Sequence, residues 1–114
     1  MSKFRTGRLA EDIKRELSAI IRELKDPRIS EMISIIKVDL TNDLSHCKVY
    51  VSSFDGMEKS LESVKGLESA AGYIKREIFA RLKMRKSPEF HFIADNSIEY
   101  STEINKILKD IEKN

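Results

Sequence analysis

Six cations stand within twelve residues of this chain: Lys75, Arg76, Arg81, Lys83, Arg85 and Lys86, with Glu77 the one acid among them. Ammonium and guanidinium groups at that density can do one kind of chemistry unaided. They neutralise the closely spaced charges of a polyanion, the guanidinium through a planar fork of N–H donors and the ammonium as a point charge. The formal charge of the whole chain is only +2, yet residues 72–86 carry +5, and residues 1–10, with Lys3, Arg5 and Arg8 and no acid, carry +3. Two basic segments therefore ride on an acidic body. A solvated helix face explains one such segment; two that meet in space would form the electrostatic footprint of phosphate binding.

The groups able to do covalent or acid–base chemistry are sparse. His46 and His91 fall inside strand-like segments and belong to no triad or metal-ligand spacing. Cys47 lies on an apolar face beside Val49 and reads as a small buried hydrophobe. Asp39, Asp43, Asp55 and Asp95 stand near strand ends, where turn and cap roles account for them. No phosphate-cradling GxxxxGK, no GxGxxG and no GxSxG is present. The expectation is a protein without catalytic residues, metal or cofactor.

The elements that must position the cations can be read from periodicity. Leu9, Ile13, Leu17, Ile20 and Leu24 make one apolar stripe on a helix from about Thr6 to Lys25, which Asp26-Pro27 ends. Residues 28–32 connect it to a strand over 33–40, in which Ile36, Val38 and Leu40 are expected to share the buried face. Thr41-Asn42-Asp43-Leu44-Ser45 is turn chemistry, and Cys47, Val49 and Val51 alternate along a second strand over 46–54, completing a hairpin. Asp55 and Glu58 have capping-box spacing at the start of a second helix carrying Leu61, Val64 and Leu67, in which Gly66 costs about 1 kcal/mol relative to alanine. Ala70-Ala71-Gly72 is a kink. Ile74, Ile78 and Leu82 then define the buried stripe of a third helix, with Arg76 and Lys83 roughly opposite and Lys75 and Lys86 on a flank. Tyr73 is open to two readings, base stacking or core packing. Pro88 stops the helix; Phe90, Phe92 and Ala94 face one way on a third strand over 89–95. After a turn at 96–100, a final helix from about Ser101 carries Ile104, Ile107, Leu108 and Ile111.

With 114 residues, 40% hydrophobic and 35% charged, the chain is expected to be one α+β domain over 1–114, a three-stranded sheet with helices packed on one face. It has no apolar run long enough for a membrane span and no signal-like apolar segment at its start, so a cytoplasmic protein is expected. A single cysteine gives no internal disulfide.

The order α-β-β-α-α-β with an extra C-terminal helix resembles the type II KH domain, an RNA-binding fold. That fold normally carries GxxG where this chain reads Ala70-Ala71-Gly72. An AxG kink at that place resembles the ribosome-binding factor A family. So do Lys25-Asp26-Pro27-Arg28-Ile29, the hairpin residues 38–44 and 48–52, the run Leu82-Lys83-Met84-Arg85-Lys86-Ser87-Pro88-Glu89-Phe90, and the turn Asp95-Asn96-Ser97. The resemblance implies a non-catalytic assembly factor that binds the immature small (30S) ribosomal subunit and its 16S rRNA. It also implies action in late maturation, including 5′-end processing, and a role in growth at low temperature. The absent GxxG removes the usual four-nucleotide grip.

The expected phosphate-facing set is Arg5, Arg8, Lys75, Arg76, Arg81, Lys83, Arg85 and Lys86, shaped by the kink at Ala70, Ala71 and Gly72, on a monomer. Two alternatives stand beside it: a KH-like module on mRNA or other free RNA, and an adaptor whose cations match an acidic protein.

Overall fold

The computed structural model describes residues 2–95, with side chains from residue 7 onward. The elements run α1 (Ser2–Glu23), β1 (Ile33–Leu40), β2 (His46–Ser53), α2 (Met57–Ser69), α3 (Ala71–Leu82) and β3 (Glu89–Ala94). This is the order expected. The turn expected at 96–100 and the helix expected from Ser101 lie outside the described residues.

The sheet order is β1-β2-β3, with β1 antiparallel and β3 parallel to β2. A parallel neighbour cannot be reached by a tight turn, and α2 and α3 supply the crossover. The helices cover one face. From α1, Ile13, Leu17 and Ile20 are fully buried; Leu67 of α2 and Ile74 and Ile78 of α3 meet Cys47, Val49, Val51, Phe90 and Phe92 beneath them. Burying each large aliphatic chain stabilises the fold by roughly 1.5–3 kcal/mol. The opposite face carries exposed Lys37, Asp39, His46, Lys48, Glu89 and His91, as the alternation required.

Three local readings change. In β1 the register slips between Ile35 and Lys37. Ile36 is the extra residue of a β-bulge, so the core face is Ile33, Ile35, Val38 and Leu40, and Ile36 stands outside the core cluster. A bulge shifts the two-residue period by one, which alternation alone does not reveal. At α2 the cap is Gly56, whose φ of 109° favours glycine, and no side chain caps the helix. Asp55 instead accepts a hydrogen bond from Ser30 Oγ at 2.8 Å. Finally, α1 starts earlier than expected and ends at Glu23, where Leu24 N–H bonds back to Ile21 C=O.

The segment after α1 is folded tightly on itself. Asp26 accepts from Arg28 N–H at 2.9 Å and from the guanidinium at 2.7 and 3.0 Å. This knot sits against α2. A methyl group on Gly66 would meet Ile29 Cγ1 at 2.8 Å and Asp26 Oδ2 at 3.2 Å. Above and below that contact, buried serines tie the elements together: Ser30 N–H donates to Ser63 Oγ (2.9 Å), Ser53 N–H to Ser60 Oγ (2.8 Å) and Ser53 Oγ to Ser30 Oγ (2.8 Å). Ser60, Ser63 and Gly66 form one small-residue face of α2, and small size is what permits so close an approach.

Of the three residues expected to form the kink, Ala70 makes it. It has φ −93° and ψ 5°, closes α2 through Gly66 and Leu67 carbonyls, and accepts from Ile74 N–H to open α3. Ala71 is half-buried. Gly72 is an exposed residue of the first turn of α3, and a methyl group added to it would meet nothing within 4 Å.

The two helical glycines should therefore respond oppositely to one change. Gly66→Ala is expected to lower stability by about 1–2 kcal/mol, overpacking outweighing the better helix propensity, whereas Gly72→Ala should raise it by about 0.5–1 kcal/mol. Urea denaturation of both variants checks this, and equal signs would contradict the packing. Asp26 gives a pH signature. The Arg28 side chain first, and the Arg28 N–H second, lower its carboxyl from 3.8 to about 2. Its contribution is complete above roughly pH 4 and is lost as pH falls through the folded value. Asp26→Asn should flatten the stability profile between those limits in acid titrations followed by circular dichroism.

Candidate nucleic-acid interface

Helix α3 separates its two tasks by spacing. Ile74 and Ile78 are buried, while Arg76 and Phe79 are exposed on another side of the same turns. Lys83 ends the helix in the left-handed region at φ 49°, which turns the chain sharply back. The returning loop is fastened twice: Ser87 Oγ donates to Lys75 C=O at 3.1 Å, and Glu89 N–H donates to Ser45 C=O at 2.9 Å to begin β3. Pro88 is buried at this join.

Between α3, this loop and the first residue of β2 lies an open groove of about 610 Å³. Lys75 and Arg76 line its helical wall, Arg85 and Lys86 the loop, and His46 the strand side. Phe79 lies among the cations and is 46% exposed. Lys75 is paired with the Glu89 carboxylate, whose pKa it lowers first by hydrogen bonding and then by charge. Asp43 lies below the usual carboxylate range because Ser45 and Thr41 donate to it, with a smaller effect from Lys86. Arg76, Arg85 and Lys86 have no ion pair among the described residues.

The structure sorts the expected set. Lys75, Arg76, Arg85 and Lys86 meet at the groove. Lys83 is exposed at the helix end and Arg8 is exposed on α1, but neither lines the groove. Arg5 falls in α1, and its side chain is outside those described. Arg81 is turned to another use: its guanidinium reaches Glu16 at 3.6 Å, Glu23 at 3.1 Å and Glu77 at 3.1 Å, clamping α1 to α3. Tyr73, open to two readings from sequence, is 39% exposed and outside the core.

Sequence reasoning gave no site role to two ring-bearing residues that line the groove, Phe79 and His46. Phe79 stands three positions after Arg76 and off the Ile74–Ile78 stripe, a placement that spacing alone could have flagged. His46 was expected to be an ordinary strand residue, yet its Nδ1 lies 3.0 Å from His91 Nε2 across the β2–β3 pair. Nothing in one strand's pattern shows which strand becomes its parallel neighbour.

Burial, then the Asp39 charge, pushes the Cys47 thiol up to about 12, so it is protonated at neutral pH and unsuited to nucleophilic attack. Among the described residues no group of three His, Cys, Asp or Glu side chains could hold a metal ion, and no helix is long and apolar enough to cross a membrane.

Fold and groove together define a small α+β domain of type II KH-like order that presents cations beside an exposed aromatic ring. The chain belongs to the ribosome-binding factor A family, whose model matches residues 5–108. It is 48% identical to ribosome-binding factor A of Caldanaerobacter subterraneus subsp. tengcongensis, over 97% of this chain and 92% of that one. The crystal structure of ribosome-binding factor A from Thermus thermophilus is 27% identical, with a TM-score of 0.71 over 81% of this chain and 97% of that one. A second Thermus thermophilus structure, a ribosome-binding factor A homology model fitted into the cryo-electron-microscopy map of a 30S complex, is 28% identical, with a TM-score of 0.66 over 78% of this chain and 93% of that one.

The clamp separates Arg81 from its neighbours experimentally. Arg81→Ala should lower stability, because three carboxylates on two helices lose a shared partner, whereas Arg76→Ala should leave it nearly unchanged. Denaturant midpoints of the two variants test the difference, and equal losses would refute the clamp.

Proposed function

We propose that this protein is a non-catalytic assembly factor that binds the immature small ribosomal subunit through its 16S rRNA. In this reading it acts as a cytoplasmic monomer, late in maturation and through the period of 5′-end processing, and supports growth at low temperature. Membership of the ribosome-binding factor A family supports the subunit as partner, as does the fitting of a Thermus thermophilus relative into a map of a 30S complex. The observation that carries the reading for this chain is the groove where Lys75, Arg76, Arg85 and Lys86 converge from a helix and a loop on either side of one opening.

The mechanism follows from what such a groove can do. Phosphate contacts supply affinity and fix orientation without reading base sequence. The domain docks on unfinished rRNA, holds one local conformation, and leaves when the mature arrangement no longer presents the same phosphates. Arg8 and Lys83 extend the contact beyond the groove. Arg81 acts indirectly, holding α3 on α1 so that the helical wall keeps its place.

Arg76→Glu combined with Arg85→Glu is expected to abolish co-sedimentation with small-subunit precursors in sucrose gradients while leaving the melting temperature nearly unchanged. Three phosphates neutralised at Arg76, Arg85 and Lys86 would make log K fall with log salt at a slope of about −2, a loss of roughly 20-fold between 50 and 200 mM. Parent protein that stays at the top of the gradient while binding RNA would indicate a module for free RNA. Binding that survives nuclease treatment and shows a flat salt series would indicate a protein adaptor. Either outcome overturns the reading.

A further inference from the structure

We infer that the groove takes an unpaired nucleotide, its base stacked on the Phe79 ring and its phosphates held by Arg76, Arg85 and Lys86. The inference rests on the RNA-binding reading above and narrows it from phosphate backbone in general to single-stranded segments.

The placement of Phe79 carries it. The apolar stripe of α3 is complete without this ring, because Ile74 and Ile78 are both fully buried while Phe79 is 46% exposed. A large aromatic side chain held by a packed helix presents a flat apolar surface at little conformational cost. Here that surface opens into a groove that is also lined by four cations, Lys75, Arg76, Arg85 and Lys86, with Glu89 its one acid. An apolar partner would have to desolvate Arg76, Arg85 and Lys86 to reach the ring. A nucleotide satisfies both at once, since its base is flat and weakly polar on its faces and its phosphate is anionic.

The groove also has a direction. Glu89 carries negative charge at the start of β3 and is paired with Lys75. A phosphate is therefore repelled from that end and drawn to the loop side, where Arg85 and Lys86 are exposed. His46 supplies a second ring on the strand side, steadied by its 3.0 Å contact with His91. A volume of about 610 Å³ lies within the range of roughly 300–1,000 Å³ that small-ligand sites occupy, room for a nucleotide rather than a helix. In a duplex the faces of the bases are covered by their neighbours, so stacking on Phe79 selects bases already splayed from a helix.

The test uses the full chain and two fluorescein-labelled probes, a single-stranded RNA of eight uridines and one adenosine, and the same strand annealed to its complement. The parent should bind the single strand at least tenfold more tightly than the duplex. Phe79→Ala should lose about tenfold on the single strand, the lower end of what one stacked base contributes, and change duplex binding less than twofold. Phe79→Tyr should keep parent affinity for both, and Arg76→Glu should weaken both. If Phe79→Ala binds like the parent while Arg76→Glu loses affinity, stacking is wrong and the phosphate reading stands. If neither variant loses affinity, the groove is not the RNA site and both fall. Loss in Phe79→Ala accompanied by a lower melting temperature, and shared by Phe79→Tyr, would reassign the ring to packing.

Discussion

The close approach of α2 to the segment after α1 is the constraint on which the rest of the structure depends. Gly66 leaves space for Ile29 and Asp26, and Ser60 and Ser63 hydrogen-bond backbone N–H groups that would otherwise be buried without partners. Buried donors left unpaired cost about 1–3 kcal/mol each, so these small polar residues hold the helix at one height and one rotation. Where α2 lies decides where Ala70 turns the chain, and the turn decides how α3 crosses toward β3. The position of every groove cation on α3 follows from that packing. Cations that bind phosphate need to be fixed in direction but gain nothing from being buried, and a rigid helix pair with an exposed outer side meets both needs.

Charge is divided with the same economy of structure. Of the cations in the basic segment, Arg81 holds three carboxylates on α1 and α3, while Lys75 meets one across the groove. Arg76, Arg85 and Lys86 remain turned to the opening. A count of positive charge thus overstates the proposed binding surface, because ion pairs within the fold consume part of it. It also assigns no value to Phe79, which bears no charge but lines the same groove.

Much of the architecture was legible in the residues. The stripe from Leu9 to Leu24 required an amphipathic helix, the alternation at Cys47, Val49 and Val51 a half-buried strand, and Thr41 to Ser45 a turn in which Asp43 accepts hydrogen bonds from its neighbours. Local patterns failed where a distant partner chose among local options. Ile36 looked like a core residue until the pairing with Val51 and Tyr50 left it as the extra residue of a bulge. Asp55 had the spacing of a helix cap, but Ser30, 25 positions away, took its carboxylate. Gly66 looked like a weakness in α2 and is the point where another segment touches it.

By itself the sequence determined the type and order of the elements from α1 to β3, because hydrophobic periodicity is a local property that survives any arrangement of the rest. It also determined that positive charge gathers on and just after the third helix. Only the tertiary structure decided which of those charges face outward, that His46 and His91 become neighbours on parallel strands, and that Phe79 opens into a groove. Those outcomes depend on the angle between packed helices and on strand pairing across more than 40 residues. Both are set by the shapes of side chains meeting from different elements, and no single element encodes them.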